Sequence, residues 1–414
     1  GAALLYGTAG FWLLDKRDFG ITFTVADGVR RTFAALAFNK DPALIPQTRF
    51  AAWFLGSMDL ISATALFYVL ISLFRPVFYR LRTLPQERSR AAAILESHGR
   101  SGLDPFKLTA DKRFYFLPSG RTFLAYRMAR SFAVVLADPV GPDEEIGGII
   151  KSFRGLCEEN DWRLAFYQTL PDFLSRYREA GFKKMKIGDE AIVDLAGFSL
   201  DGKRMKHIRH ALNQFEREGI RAVYYEPPVP DEVLAGAREV SDDWLRLPGR
   251  RERGFAVGTF SEEAVRATPV FAAIKADGRL LAFVNVIRSY APGETTIDLM
   301  RHRRDAPHGI MDGLFARLFE RQREKGFKRF NLGLAPMSGF REGEEAGAEE
   351  RAVQFFLQRL NFLFSYSGLL DYKAKFATSW EPRFVVYRNV LDLPRLAVAL
   401  VRVSELRAAG GAGE

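Results

Sequence analysis

Twenty-four residues, AAWFLGSMDLISATALFYVLISLF at 51–74, carry a single charge, Asp59. As a helix this run rises about 36 Å at 1.5 Å per residue, more than the ~30 Å hydrocarbon core of a bilayer. Arg49 precedes it, and Arg75, Pro76, Phe78, Tyr79, Arg80 and Arg82 come after it. Such aromatic and cationic flanks are selected at a membrane interface. The segment is internal and too long for a signal peptide, so the spacing predicts a transmembrane helix. Arginines at 75, 80, 82, 88 and 90 place the rest of the chain on the cytoplasmic side by the positive-inside rule. Ala2–Leu14 is a second apolar run and reads as the tail of an earlier span. The chain opening on Gly1 then reads as a fragment or processed product.

The remaining sequence is globular in composition. A net charge of +10 favours anionic partners, nucleic acid or acidic lipid headgroups. Cys157 is the only cysteine, which excludes an intramolecular disulfide. It falls among Ile149, Ile150, Phe153 and Leu156, the inner face of a predicted helix, as a small core residue. From Leu103 onward the pattern is α/β, with an internal repeat. LPSGRTFLAYRM (117–128) matches KADGRLLAFVNV (275–286), a Gly-Arg turn entering an apolar strand in each. NDWRLAFYQ (160–168) matches KGFKRFNLG (325–333), a strand leaving a charged helix end in each. The predicted organisation is a membrane segment at 1–82, an α/β domain at 83–198, a basic bridging helix at 199–220, a second α/β domain at 221–395 and a tail at 396–414.

The bridging segment, SLDGKRMKHIRHALNQFEREG, places Met205, Ile208, Leu212 and Phe215 on one apolar stripe. Lys203, Arg204, Lys206 and Arg209 flank that stripe or oppose it, and suit phosphates or an acidic surface. His207 and His210 lack companion ligands at metal spacing, so no metal is expected. In DLMRHRRDAPHGIMDGLFARLF (298–319), an acid in a strand is followed by a basic turn and a helix start, a combination that suits an anion. Alternation places Asp298 with Thr296 and Met300 on one strand face, opposite Ile297 and Leu299. In RFNLGLAP it places Asn331 and Gly333 opposite Phe330, Leu332 and Leu334. If the two strands are neighbours, Asp298 and Asn331 share a cleft.

No GxSxG elbow, GxxxxGK[ST] loop, HExxH or paired-cysteine zinc pattern occurs. Tandem α/β units with a helix start after the central strand suggest an acyltransferase of the N-acetyltransferase type. The turns RRDAPHG and ADPVGPD lack the glycine spacing that cradles coenzyme A, so that donor is not expected. A more specific likeness lies in four stretches: IGDEAIVDLAGFSLDGKRMKHIRHALNQFEREG, TTIDLMRHRRDAPHGIMDGLF, RFNLGLAPMSG and YKAKFATSWEPRF. In order, they resemble signatures of the aminoacyl-phosphatidylglycerol synthases, the multiple peptide resistance factor family, across roughly residues 1–390.

The resemblance implies transfer of a lysyl or alanyl group from aminoacyl-tRNA to the glycerol hydroxyl of phosphatidylglycerol. It implies no cofactor, an inner-membrane location, and an upstream flippase domain of which only the last stretch is present. It also implies two tandem N-acetyltransferase-like folds joined by the basic helix. The family's catalytic positions fall on Asp298 and Arg301 of DLMR and on Lys373 of YKAKF. In this reading Asp298 anchors the donor's α-ammonium or accepts the glycerol proton, a low pKa among cations favouring the anchoring role; Arg301 grips a phosphate of the tRNA end or of the lipid, and Lys373 stabilises an oxyanion. Asn331, Gly333, Ser338 and Lys375 shape the substrate site. Glu190, Asp312 or the acids of 342–350 could supply the extra carboxylate of a lysine-selective pocket. The rival readings are a Fem-like transferase acting on a peptidoglycan precursor and a non-catalytic membrane-tethered RNA or lipid binder.

Overall fold

The computed structural model describes residues 2–14, 16–39, 41–42, 44–73, 85–336 and 367–405. The chain divides into two compact units, Gly1–Leu81 and Arg82–Glu414.

In the first unit the long apolar run forms the helix Arg49–Leu73. Phe54 and Met58 turn inward against Phe11 and Phe19, whereas Trp53, Leu60, Phe67 and Tyr68 are exposed. A contiguous apolar belt of this size on a soluble surface would drive association; it is what a lipid-facing helix carries. Among the described residues this is the one helix long and apolar enough to cross a bilayer. The first apolar run forms the shorter helix Ala2–Leu13. The arginines expected to orient the span, at 75, 80 and 82, lie outside the described residues.

The second unit is built on one mixed sheet. Its strands are β1 (Arg113–Phe116), β2 (Phe123–Ala129), β3 (Phe132–Leu136), β4 (Arg163–Thr169), β5 (Lys183–Asp194) and β6 (Arg221–Tyr225). They continue with β7 (Val270–Ile274), β8 (Leu280–Arg288), β9 (Glu294–His302), β10 (Arg329–Pro336) and β11 (Ser379–Tyr387). The order is β1-β2-β3-β4-β11-β5-β10-β9-β8-β7-β6. Read from its two ends this order repeats itself, with β6 added at one edge. The first repeat runs β1-β2-β3, a helix and β4; the second runs β7-β8-β9, a helix and β10. In each, the parallel pair (β3 with β4, β9 with β10) needs a crossover helix. Asp143–Glu159 and Ile310–Glu324 supply it.

The repeats also exchange their last strands. β11 pairs with both β4 and β5, and β5 with both β11 and β10. The segments read as domains at 83–198 and 221–395 are thus halves of one sheet within one unit. Cys157 lies in the core of the first crossover helix with Ile149, Ile150 and Phe153. Burial pushes its thiol up to about 12, which removes it as a nucleophile at neutral pH.

Two boundaries differ from the sequence reading. Residues 396–404 are not a tail. They belong to the helix Leu393–Ser404, whose Leu396, Ala399 and Val403 pack with Phe132, Val134 and Leu136 of β3. The basic helix spans Lys206–Arg217 rather than starting at 199, so Lys203 and Arg204 lie in the turn before it. Its Ile208, Leu212 and Phe215 join the core formed by Met311, Leu314 and Phe315 of the second crossover helix.

Candidate active site at two strand bulges

Both strands that carry the candidate residues depart from simple alternation. Val284 of β8 faces Met300, but Val286 faces Ile297, so Asp298 and Leu299 together oppose Asn285 as a bulge. The Asn285 side chain accepts the Leu299 amide at 2.7 Å, supplying the partner the ladder has lost. Ile297 and Met300 consequently pack on one cluster and Leu299 on another, not the faces that strict alternation gave. In β10 the register shifts between Asn331 and Leu334. Gly333 there has φ +79°, a left-handed conformation that glycine adopts without strain. Leu334 leaves the face of Phe330 and Leu332 for a different cluster.

β9 and β10 are neighbours, with Asn331 opposite Thr296. At their bulges opens a cavity of about 340 Å³, lined by Glu190, Asp298, Arg301, Asn331, Gly333 and Lys373. Six of the candidates therefore meet in one place.

Their electrostatics differ from what the sequence suggested. Asp298 Oδ1 accepts the Gly258 amide at 2.6 Å. Burial nevertheless pushes its carboxyl up to about 6, with the Gly258 hydrogen bond and Arg301 opposing and Glu252 adding to the rise. The low pKa expected of a carboxylate among cations is not found, because burial outweighs the Gly258 hydrogen bond and the charge of Arg301, which Glu252 offsets in part. Arg301 is 3% exposed and grips Glu252 through both terminal nitrogens at 2.7 and 2.8 Å. It also donates to Ser241 Oγ, and its guanidinium lies 4.9 Å over the Trp244 ring. The fork expected to hold a phosphate is filled by the chain's own carboxylate.

Lys373 is equally buried. Its Nζ donates to the Leu334 carbonyl at 2.7 Å and would lie 3.6 Å from a Cβ placed on Gly333. Burial lowers its pKa to about 7, with the charge of Glu190 opposing. Glu190 itself is bonded to Arg383 and accepts from Asn331 Nδ2 at 2.8 Å. Asn331 Oδ1 accepts the Gly333 amide at 2.7 Å, so this side chain fixes the bulge beside the lysine. A lysine-selective role for Glu190 would have to be shared with Arg383.

Asp312 and Lys375 pair at 2.9 Å and line an adjoining cavity instead. Lys203, Arg204, Lys206 and Arg209 line neither. Arg204 donates to the carbonyls of Ala374 and Ala377 at 2.6 and 3.0 Å. Arg209 donates to those of Leu200 and Gly202. Both therefore brace backbone, whereas Lys203 and Lys206 are exposed. The basic turn is braced too: Arg303 bonds Glu239 and Arg304 bonds Asp243. Ser338 and the 342–350 acids lie outside the described residues. Among the described residues no three of His, Cys, Asp or Glu gather at metal spacing.

The sequence reading missed Trp244, in the helix Asp231–Leu245, and Glu252 and Gly258, through which a following loop reaches Arg301 and Asp298. Only the glycines of RRERGFAVG hinted at a close approach, and no periodicity marks the loop.

A mixed sheet of two interleaved repeats, with a buried acid and a buried lysine at one cavity on its bulges, defines an α/β module with one candidate active site. Residues 92–387 match the family model described as phosphatidylglycerol lysyltransferase, C-terminal, and the chain belongs to that family. It is 33% identical over 334 residues to the phosphatidylglycerol lysyltransferase of Bacillus subtilis (strain 168), covering 79% of this chain and 39% of that protein. The enzyme of the same name from Staphylococcus haemolyticus is 31% identical over 318 residues, 77% of this chain and 38% of its own. Among solved structures, L-PGS from Bacillus licheniformis superposes with a TM-score of 0.69 at 33% identity, covering 78% of this chain and 97% of that one. The chain thus spans somewhat over a third of these curated relatives.

Proposed function

We propose that this chain transfers an aminoacyl group, lysyl in the first instance, from aminoacyl-tRNA to the glycerol hydroxyl of phosphatidylglycerol, yielding a less anionic lipid. It acts on the cytoplasmic face of the inner membrane, with Arg49–Leu73 as its anchor. The observation that carries this reading is the meeting of Asp298 and Lys373, from separate elements, in one cavity within a chain of the lysyltransferase family.

The chemistry exchanges one ester for another. The glycerol oxygen attacks the aminoacyl carbonyl, the bond to the ribose oxygen breaks, and the proton of the glycerol hydroxyl ends on that ribose oxygen. The donor is already activated, so positioning and one proton transfer suffice. Lys373, with a pKa of about 7, exists in both forms at neutral pH. Its amine accepts the glycerol proton and its ammonium returns a proton to the departing ribose. That is a more mobile role than a fixed oxyanion partner. Asp298, at about 6, is mostly ionised at pH 7 and keeps the role of binding the donor's α-ammonium. Arg301, tied to Glu252, fixes the wall beside it.

The test offers labelled lysyl-tRNA to the protein with phosphatidylglycerol, with a peptidoglycan precursor, or with neither. Label in the lipid fraction supports the reading. Label on the precursor would instead favour a Fem-like transferase, and label on neither a binding protein.

A further inference from the structure

Glu294 opens β9 and is buried, yet it does not line the cavity of Asp298. A carboxylate taken out of water needs its oxygens satisfied. Oε1 accepts from Ser289 Oγ at 2.8 Å and from Asn331 Nδ2 at 3.3 Å, and Oε2 accepts from Arg329 at 3.3 Å. We infer that Glu294 is a positioning residue for the transfer proposed above, on which this role rests: it orients Asn331, and through Asn331 the β10 bulge that places the Lys373 amine.

Asn331 has two amide hydrogens and one carbonyl oxygen, and all three are engaged. Nδ2 donates to Glu190 Oε2 at 2.8 Å and to Glu294 Oε1, while Oδ1 accepts the Gly333 amide at 2.7 Å. A flipped amide would aim its oxygen at two carboxylates and its NH2 at an N–H donor. The two acids therefore decide which way the side chain points. With Glu190 alone, one amide hydrogen has no acceptor and the orientation loosens. That orientation holds the register shift between Asn331 and Leu334. Within the shift lie Gly333, in its left-handed turn, and Leu334, whose carbonyl accepts Lys373 Nζ at 2.7 Å.

Glu294 is itself held from several sides. The chain turns into β9 at Gly293, whose carbonyl accepts the Lys328 and Arg329 amides at 2.8 and 3.1 Å. This sets Glu294 opposite Arg329 in the parallel pair, and Arg329 is tied on its other side to Glu381. Ser289 sits between Arg288 and Tyr290, both bonded to Glu96 of the helix Pro85–His98. The Tyr290 amide donates to the Ser101 carbonyl at 3.4 Å. Gly102 closes over both side chains, since a Cβ there would lie 3.6 Å from Asn331 Nδ2 and 3.7 Å from Glu294 Oε1. Burial raises the pKa of Glu294; the Ser289 and Asn331 hydrogen bonds and Arg329 oppose the rise, and the charge of Glu190 adds to it.

The test is a double-mutant cycle on lysyl transfer to phosphatidylglycerol, with Glu294→Ala, Asn331→Ala and the pair, and Glu294→Gln as the conservative variant. Melting temperatures are measured alongside, and the titration of Lys373 Nζ is followed by ¹⁵N NMR in the same proteins. Glu294→Ala should lose about tenfold in kcat with little change in KM for lysyl-tRNA. The pair should be no slower than Asn331→Ala. Glu294→Gln keeps an acceptor oxygen in place and should recover most of the rate. Burial holds the Lys373 pKa at about 7. A loosened bulge admits water, so Glu294→Ala should move that titration to higher pH by about 0.5 or more, and Glu294→Gln should not. Glu294→Asp, whose carboxylate falls short of Asn331, serves the same comparison where Glu294→Ala does not fold. Losses that add in the pair, a Lys373 titration unmoved by Glu294→Ala, or a Glu294→Gln as slow as Glu294→Ala overturns the inference. If the unaltered protein transfers no lysine to phosphatidylglycerol while the titration moves in this pattern, the acceptor reading falls and the positioning stands. If transfer proceeds while rate and titration ignore Glu294→Ala, the reverse holds.

Discussion

Asp298 reaches its hydrogen-bond donor across a gap that only a glycine leaves open. A Cβ on Gly258 would fall inside van der Waals distance of the Asp298 carboxylate, so a side chain at 258 must push either the acid or the loop away. Because a displacement of about 1 Å near the chemistry can lower a rate ~100-fold, Gly258→Ala is expected to reduce kcat/KM for transfer about tenfold or more. The loop does not depend on this one contact, since Phe255 is buried in a core cluster and the Gly254 amide donates to the Ser404 carbonyl. Melting temperature should therefore change little. Near-normal transfer by Gly258→Ala would show that the hydrogen bond to Asp298 does not position it for the reaction. Lys373 complements the acid through its own titration. Its folded pKa of about 7 lies below the ordinary 10.5, so between these values the folded chain binds fewer protons than the unfolded one. Its contribution to stability therefore improves as pH rises through that window and is least favourable below pH 7. The amine that the mechanism needs is gained over the lower part of the same rise.

At the scale of elements, the basic helix separates two kinds of cation. Lys203→Glu with Lys206→Glu should raise KM for aminoacyl-tRNA and flatten its salt dependence, because exposed lysines act on a polyanion through counterion release. Arg204→Glu or Arg209→Glu should instead lower the melting temperature, since each leaves two backbone carbonyls without their donor. A donor KM and salt slope unmoved by the lysine pair would make this helix a solvated surface. The helix, the repeat and both crossover helices were legible because each is written locally, in apolar spacing or in a Gly-Arg turn. The exchange of β5 and β11 was not, since strand pairing across the halves leaves no mark within either strand. Likewise neither bulge was read from the strand pattern: Gly333 is a local mark of the one in β10, whereas the one at Asp298 is held by the Asn285 side chain on a different strand. The partner of Arg301 was hidden for the same reason: Glu252 lies in an irregular loop and meets its arginine only in the fold.

In the whole molecule a unit with one helix long and apolar enough to cross a bilayer precedes a unit whose proposed acceptor is a lipid hydroxyl. The helix Arg49–Leu73, with its exposed apolar belt, should keep the chain in the membrane pellet through carbonate extraction. Full release would remove the anchor and weaken the lipid acceptor with it. We place the transfer in the cavity of Asp298 and Lys373. The most direct test is the rate of lysyl transfer from labelled lysyl-tRNA to phosphatidylglycerol as a function of pH, for the unaltered protein and for Lys373→Ala, with melting temperatures measured alongside. The unaltered protein should gain rate as pH rises through about 7, where Lys373 loses its proton. Lys373→Ala should lose roughly a hundredfold or more at every pH while remaining folded. Near-normal turnover in the folded fraction of Lys373→Ala, with the same rise through neutral pH, would contradict the account.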